Sequence, residues 1–182
     1  MKRTVTFFVL AAALAFAAKP PKTTLAKAYD GDVTSAEKEI VSLAEAMPAD
    51  KYNFAPTAGE FTGVRTFALQ MRHIAAVNYE VAAALLGEKN PVETGKNENG
   101  ADSLDNKDAI VKFLKDSFVY AHKAINTITA KNVLGEVKSP FGDGNAARAS
   151  LAPIFAWHSY DHYGQAVVYA RMNGVIPPAS RH

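Results

Sequence analysis

His158 and His162 stand four residues apart in Trp157-His158-Ser159-Tyr160-Asp161-His162. On a helix that spacing puts both imidazoles on one face, one turn apart, where they can converge on a single divalent ion. The pair reads equally well as two hydrogen-bonded core histidines. A third, His73, falls on the inward stripe of an upstream segment, so its ring can reach the same layer from a facing helix. Three imidazoles buried without partners would cost about 1–3 kcal/mol each, whereas one cation satisfies all three. Three neutral ligands also leave a coordination position for water or substrate, as catalytic rather than structural metal sites do. No fourth ligand stands out. Gln165 and Asp161 flank His162 and are candidates to orient an imidazole or a bound water. Gln165 shares the stripe, while Asp161 reads equally as a solvated helix residue. His122 sits off the main stripe of its own segment, near Phe118 and Ile125, and reads as an edge histidine; His182 is terminal and without support. For Trp157, Tyr160 and Tyr163, core or interface packing is the default and a substrate pocket the alternative.

Four helical segments must position these residues. Thr34-Ser35-Ala36-Glu37 has the form of a capping box that opens a helix, whose apolar positions Val33, Ala36, Ile40, Leu43, Ala44 and Met47 recur at helical spacing up to Pro48. A second stripe, Phe67, Gln70, His73, Val77, Val81 and Ala84, ends at Gly87. The stretch from Gly87 to Asp105 reads as a long loop, and a third helix spans 105–130 with Ile110, Phe113, Leu114, Ser117, Ala121, Ile125 and Ile128 inward. Lys131 to Gly144 reads as irregular. The fourth segment steps inward through Leu151, Phe155, His158, His162, Gln165, Tyr169 and Met172 before Gly174 and Pro177-Pro178. Pro153 there marks either a first turn or a bend. With no alternating strand pattern and no internal repeat, the fold class is all-α, a four-helix bundle in one domain.

The N-terminus carries Lys2 and Arg3, an apolar run from Val5 to Phe16, and Ala15-Phe16-Ala17. This predicts a secretory leader over 1–17, a tether over 18–32 and the bundle over 33–182. The alternative, a membrane anchor, needs about 20 apolar residues, and this run is shorter. With no cysteine, lipidation at the cut is excluded, any thiol chemistry needs a thiol from another molecule, and no disulfide staples the fold. Cleavage removes two bases and no acid, bringing the 20 basic residues level with the 18 acidic ones. That balance argues against a nucleic-acid partner. The expected location is periplasmic or extracellular, with no membrane association once the leader is gone.

The run from His158 through Gln165, with Tyr169-Ala170-Arg171-Met172-Asn173-Gly174 and Pro177-Pro178-Ala179-Ser180, resembles the C-terminal signature of the DinB-like superfamily. Ala46-Met47-Pro48-Ala49-Asp50-Lys51-Tyr52 with Phe54, Pro56 and His73 is similar to its N-terminal half. The resemblance implies a four-helix bundle in which His73, His158 and His162 bind nickel, zinc or iron, and it favours a homodimer. Some relatives are thiol-dependent transferases, which implies a small-molecule substrate or an external thiol as partner. Two functions follow: a metal-dependent transferase or hydrolase, or a non-catalytic periplasmic metal-binding or stress-related module.

Overall fold

The structure is a computed structural model that describes residues 23–181, so the predicted leader and His182 lie outside the described residues. Four long helices form the bundle: α1 (Leu25–Ala46), α2 (Phe67–Leu86), α3 (Lys107–Ile125) and α5 (Ile154–Met172), with a single short turn of helix, α4 (Arg148–Leu151), before the last. No helix among the described residues is long and apolar enough to cross a membrane.

α1 begins well before the predicted capping box. Thr24 is its N-cap, accepting from the Lys27 N–H at 3.1 Å, and the tether expected over 18–32 is helical from Leu25 onward. The hydroxyls of Thr34 and Ser35 instead donate back to the carbonyls of Asp30 and Gly31, one turn earlier inside the helix. The early start is stabilised by packing of Tyr29 against the core and by a contact from Asp30 to α3. The six predicted stripe residues from Val33 to Met47 are all buried, and Met47, extended because Pro48 follows it, ends the helix.

α2 is the central element. Thr66 caps its start, Gly87 ends it in the left-handed region at φ 68°, and it is buried on nearly every face. It therefore carries polar residues into the interior, Gln70, Arg72, His73 and Asn78, each of which needs a partner. α1 and α2 each pack against both α3 and α5, so the order around the bundle is α1, α3, α2, α5, with α1 and α2 diagonal. Phe67, Phe118 and Phe155 fill the centre without exposure, and truncating any of them to alanine would cost about 3–5 kcal/mol.

One connection differs from the sequence reading, and at another the structure chooses between its two alternatives. The stretch 131–144 belongs to a small hairpin, β1 (Glu136–Lys138) antiparallel to β2 (Asn145–Ala147), whose strands are too short to show alternation. Pro153 is the N-cap of α5, where a missing N–H costs nothing, and so takes the first-turn role. The inward face of α5 is Phe155, Ser159, His162, Ala166, Tyr169 and Ala170, while the predicted inward residues Gln165 and Met172 are exposed.

Candidate metal centre

His73 lies in the middle of α2, and His158 and His162 in the first half of α5. The pairings of Gln70 with Gln165 and of His73 with His158 run in opposite sequence directions, so the two helices are antiparallel here. Across that seam the His158 Nε2 is 3.2 Å from the His73 Nε2 and 3.1 Å from the His162 Nε2. One nitrogen from each ring lies within 4.8 Å of the other two. His73 and His162 are buried and His158 is half-buried. The three histidines singled out by spacing and phase are thus brought to one point.

The hydrogen bonds on the far sides of the rings fix two tautomers. The His73 Nδ1–H donates to the Glu98 carbonyl at 2.9 Å, which leaves a lone pair on Nε2. The His162 Nδ1–H donates to the Gln70 Oε1 at 2.5 Å, and Gln70 is held in that orientation because its amide donates to the Gln165 Oε1 at 3.0 Å. His162 therefore also turns an Nε2 lone pair inward. His158 meets both lone pairs with a single N–H at most, and its own Nδ1 is buried without a hydrogen-bond partner. No placement of that one hydrogen satisfies every ring nitrogen.

A divalent cation fits this donor set. Tetrahedral ligands at about 2.0–2.1 Å from zinc stand about 3.3 Å apart, close to the Nε2 separations found here. Each Nδ1 hydrogen bond of His73 and His162 is of the kind that orients metal-ligating imidazoles. His158 lacks such a partner among the described residues.

All three rings are held neutral. Burial, aided by the neighbouring rings and Arg65, pushes His158 down to about 3. Burial first, then His73, brings His162 to about 4, with Asp161 opposing and Arg65 assisting. His73 is lowered as well, chiefly by burial, although the Glu98 carbonyl pulls the other way. Neutral imidazoles are the protonation state that a metal requires.

A cleft of about 580 Å³ opens onto the His162 side of the cluster, lined by Arg65, Leu69, Asn99, Asp161 and Gln165 among others. Gln165 accepts from the Gln70 amide and makes no direct hydrogen bond to His162 among the described residues. Asp161 is an exposed cleft residue without a hydrogen bond among the described residues. Gln70 itself was missed, although it lies one turn before His73 on the same stripe. The Glu98 carbonyl left no sequence signal at all. His122 stays outside the cluster, yet its role is more than ordinary: it bridges Asp30 at 2.6 Å and Glu37 at 3.1 Å, joining α3 to α1.

None of the curated proteins matches the sequence significantly. The family model of the DinB superfamily matches residues 32–166, which take in the larger part of α1, all of α2 and α3, and the three histidines. A match across most of the chain, on a helical bundle of this kind, means that the protein belongs to the DinB superfamily.

Proposed function

We propose that His73, His158 and His162 hold one divalent metal ion, nickel, zinc or iron, and that the protein is an exported metal-dependent enzyme acting on a small molecule. The observation that carries this is the convergence of three neutral imidazoles whose Nε2 atoms face one another with too few hydrogens to pair them. A cation bound there supplies Lewis acidity toward water, a thiol or a carbonyl. The chain's own contribution is orientation: the Glu98 carbonyl and Gln70 aim two of the rings, and Gln165 holds Gln70. The cleft gives a small molecule access to the His162 side, which supports a transferase or hydrolase, including one that uses an external thiol. Export rests on the leader-like residues 1–17, and the balanced charge after their removal argues against a nucleic-acid partner. The exposed Trp157, Tyr160, Val168 and Met172 on α5 are compatible with a homodimer.

A second reading is a non-catalytic module in which the ion serves the fold, favoured by the position of the cluster across the α2–α5 seam. Metal analysis of untagged protein from its native compartment tests the shared premise. About one equivalent is expected in the wild type and less than about a tenth in His162→Ala; near-stoichiometric metal in the variant sinks the site. Turnover of thiol or hydrolytic substrates then separates enzyme from module.

A further inference from the structure

Arg65 is half-buried at the mouth of the cleft, just ahead of the Thr66 cap of α2. Its Nε–H donates to the Asn99 Oδ1 at 2.8 Å and its Nη2 to the Asn97 carbonyl at 3.0 Å. One edge of the guanidinium is thereby fixed on neutral oxygens. No carboxylate among the described residues lies within ion-pair distance of it. The opposite edge, formed by Nη1 and the second Nη2 hydrogen, has no protein acceptor among the described residues, and Nη1 is not sealed from solvent. Arg72, inside α2, is the internal contrast: its Nη2 is used on the carbonyls of Gly100 and Ala101, with Asp102 at 3.7 Å.

The loop that holds Arg65 is strained. Asn97 and Glu98, neither of them glycine, sit at φ 55° and 51°, a left-handed conformation that costs about 1–2 kcal/mol per residue. Gly95 permits the fold-back, since a Cβ there would lie 2.1 Å from the Gly100 carbonyl oxygen. The same turn offers the Glu98 carbonyl to His73 and the Asn97 carbonyl to Arg65. Strain concentrated at a ligand-facing turn is a mark of a pre-organised site.

We propose that this cleft binds an organic monocarboxylate through the free edge of Arg65. A planar fork accepts a carboxylate through two parallel N–H···O bonds, which gives direction as well as charge. A monoanion suits the local balance, because Asp161 also lines the cleft and a dianionic phosphate would face it with one guanidinium in support. Val64 and Leu69 line the cleft beside Arg65 and offer apolar surface to the rest of the molecule. The inference deepens the metal-centre reading by naming the class of substrate that the cleft would present to the histidines.

The test titrates phenylacetate and its neutral counterpart phenylacetamide into the full chain as purified, by calorimetry or ligand-observed NMR, with metal content measured on each sample. The wild type should bind the acid at least about tenfold tighter than the amide, Arg65→Ala should lose that preference at unchanged metal content, and Arg65→Lys should keep only part of it. Equal binding of acid and amide by the wild type overturns the proposal without reference to any variant. So does a preference that survives Arg65→Ala but disappears in His162→Ala, which would place the carboxylate on the metal alone. Inorganic phosphate displacing phenylacetate at equal concentration would overturn the choice of a carboxylate. An Arg65-dependent preference in a wild type that carries no metal would support the fork and sink the metal centre, so the two readings fail separately.

Discussion

The α1–α3 seam and the α2–α5 seam lie on opposite sides of the bundle, and each holds histidine away from bulk water to opposite effect. His122, between α1 and α3, is flanked by two carboxylates, both within hydrogen-bond distance of its ring nitrogens. Burial pulls its pKa down, but Asp30 and Glu37 more than offset that, and the net shift is upward. His73, His158 and His162 are hydrogen-bonded only to one another and to amide and carbonyl oxygens, the Asp161 and Glu98 carboxylates act on His162 and His73 too weakly to offset burial, and all three are pushed down. Burial alone therefore does not decide what a histidine does. Carboxylate partners make an imidazolium cross-link, while neutral acceptors on the outer nitrogens leave lone pairs facing inward for a cation.

Metal removal should separate the two seams most strongly. A ligand present at a thousandfold over its dissociation constant stabilises by about 4 kcal/mol, and chelation should then lower the melting temperature by about 10 °C. In His162→Ala the same chelator should move nothing, and a calorimetric shift that persists there breaks the contrast. Next in size is Gln70→Leu, which removes the acceptor aimed at the His162 Nδ1–H and should weaken metal binding by about 10–100-fold in a competition titration. An unchanged affinity would reduce Gln70 to packing. On the other side, His122→Ala should cost about 2 kcal/mol in urea unfolding near pH 6, by leaving Asp30 and Glu37 without their shared cation, with metal content unaltered. Metal loss in that variant would show that the seams are coupled.

The smallest effect is the pH dependence of the His122 contribution. Its folded pKa lies above the ordinary 6.5, so the stabilisation is fully present below about pH 6.5 and is lost as pH rises through the folded value. The Asp30 side chain is 36% exposed, which limits the change to about 1 kcal/mol after screening by solvent. The stability gap between wild type and His122→Ala should therefore narrow toward high pH; a gap that widens reverses the sign and removes the imidazolium.

Much of the bundle is legible in the apolar phase of its helices. The stripes on α1 and α3 are buried as predicted because a long amphipathic helix can hide its apolar side in only one way. On α5 the reading is weaker, because Trp157, Tyr160, Val168 and Met172 are exposed while apolar residues also fill the inner face. Gln165 and Met172 were consequently placed inside. The start of α1 was misread because Thr34 and Ser35 can bond backward within a helix as readily as they cap one. Of the site, the three ligand candidates could be found from spacing and phase, and Gln70 had the right phase to be found. Arg65 and the Glu98 carbonyl had no such signal, since both lie in irregular chain.

The sequence by itself determined that the chain is helical, which faces of α1 and α3 turn inward, and that His158 and His162 share one side of a helix. Those are properties of local periodicity. Only the tertiary structure decided the order of helices around the bundle, the meeting of His73 with residues 85 or more positions away, and the tautomers that point two lone pairs at a third ring. Each of these depends on atoms brought from distant segments, the Glu98 carbonyl from a left-handed turn and the Gln70 amide from the antiparallel neighbour. The same holds for His122: its charge state is set by Asp30 and Glu37 on α1, across a seam that helical phase alone does not specify.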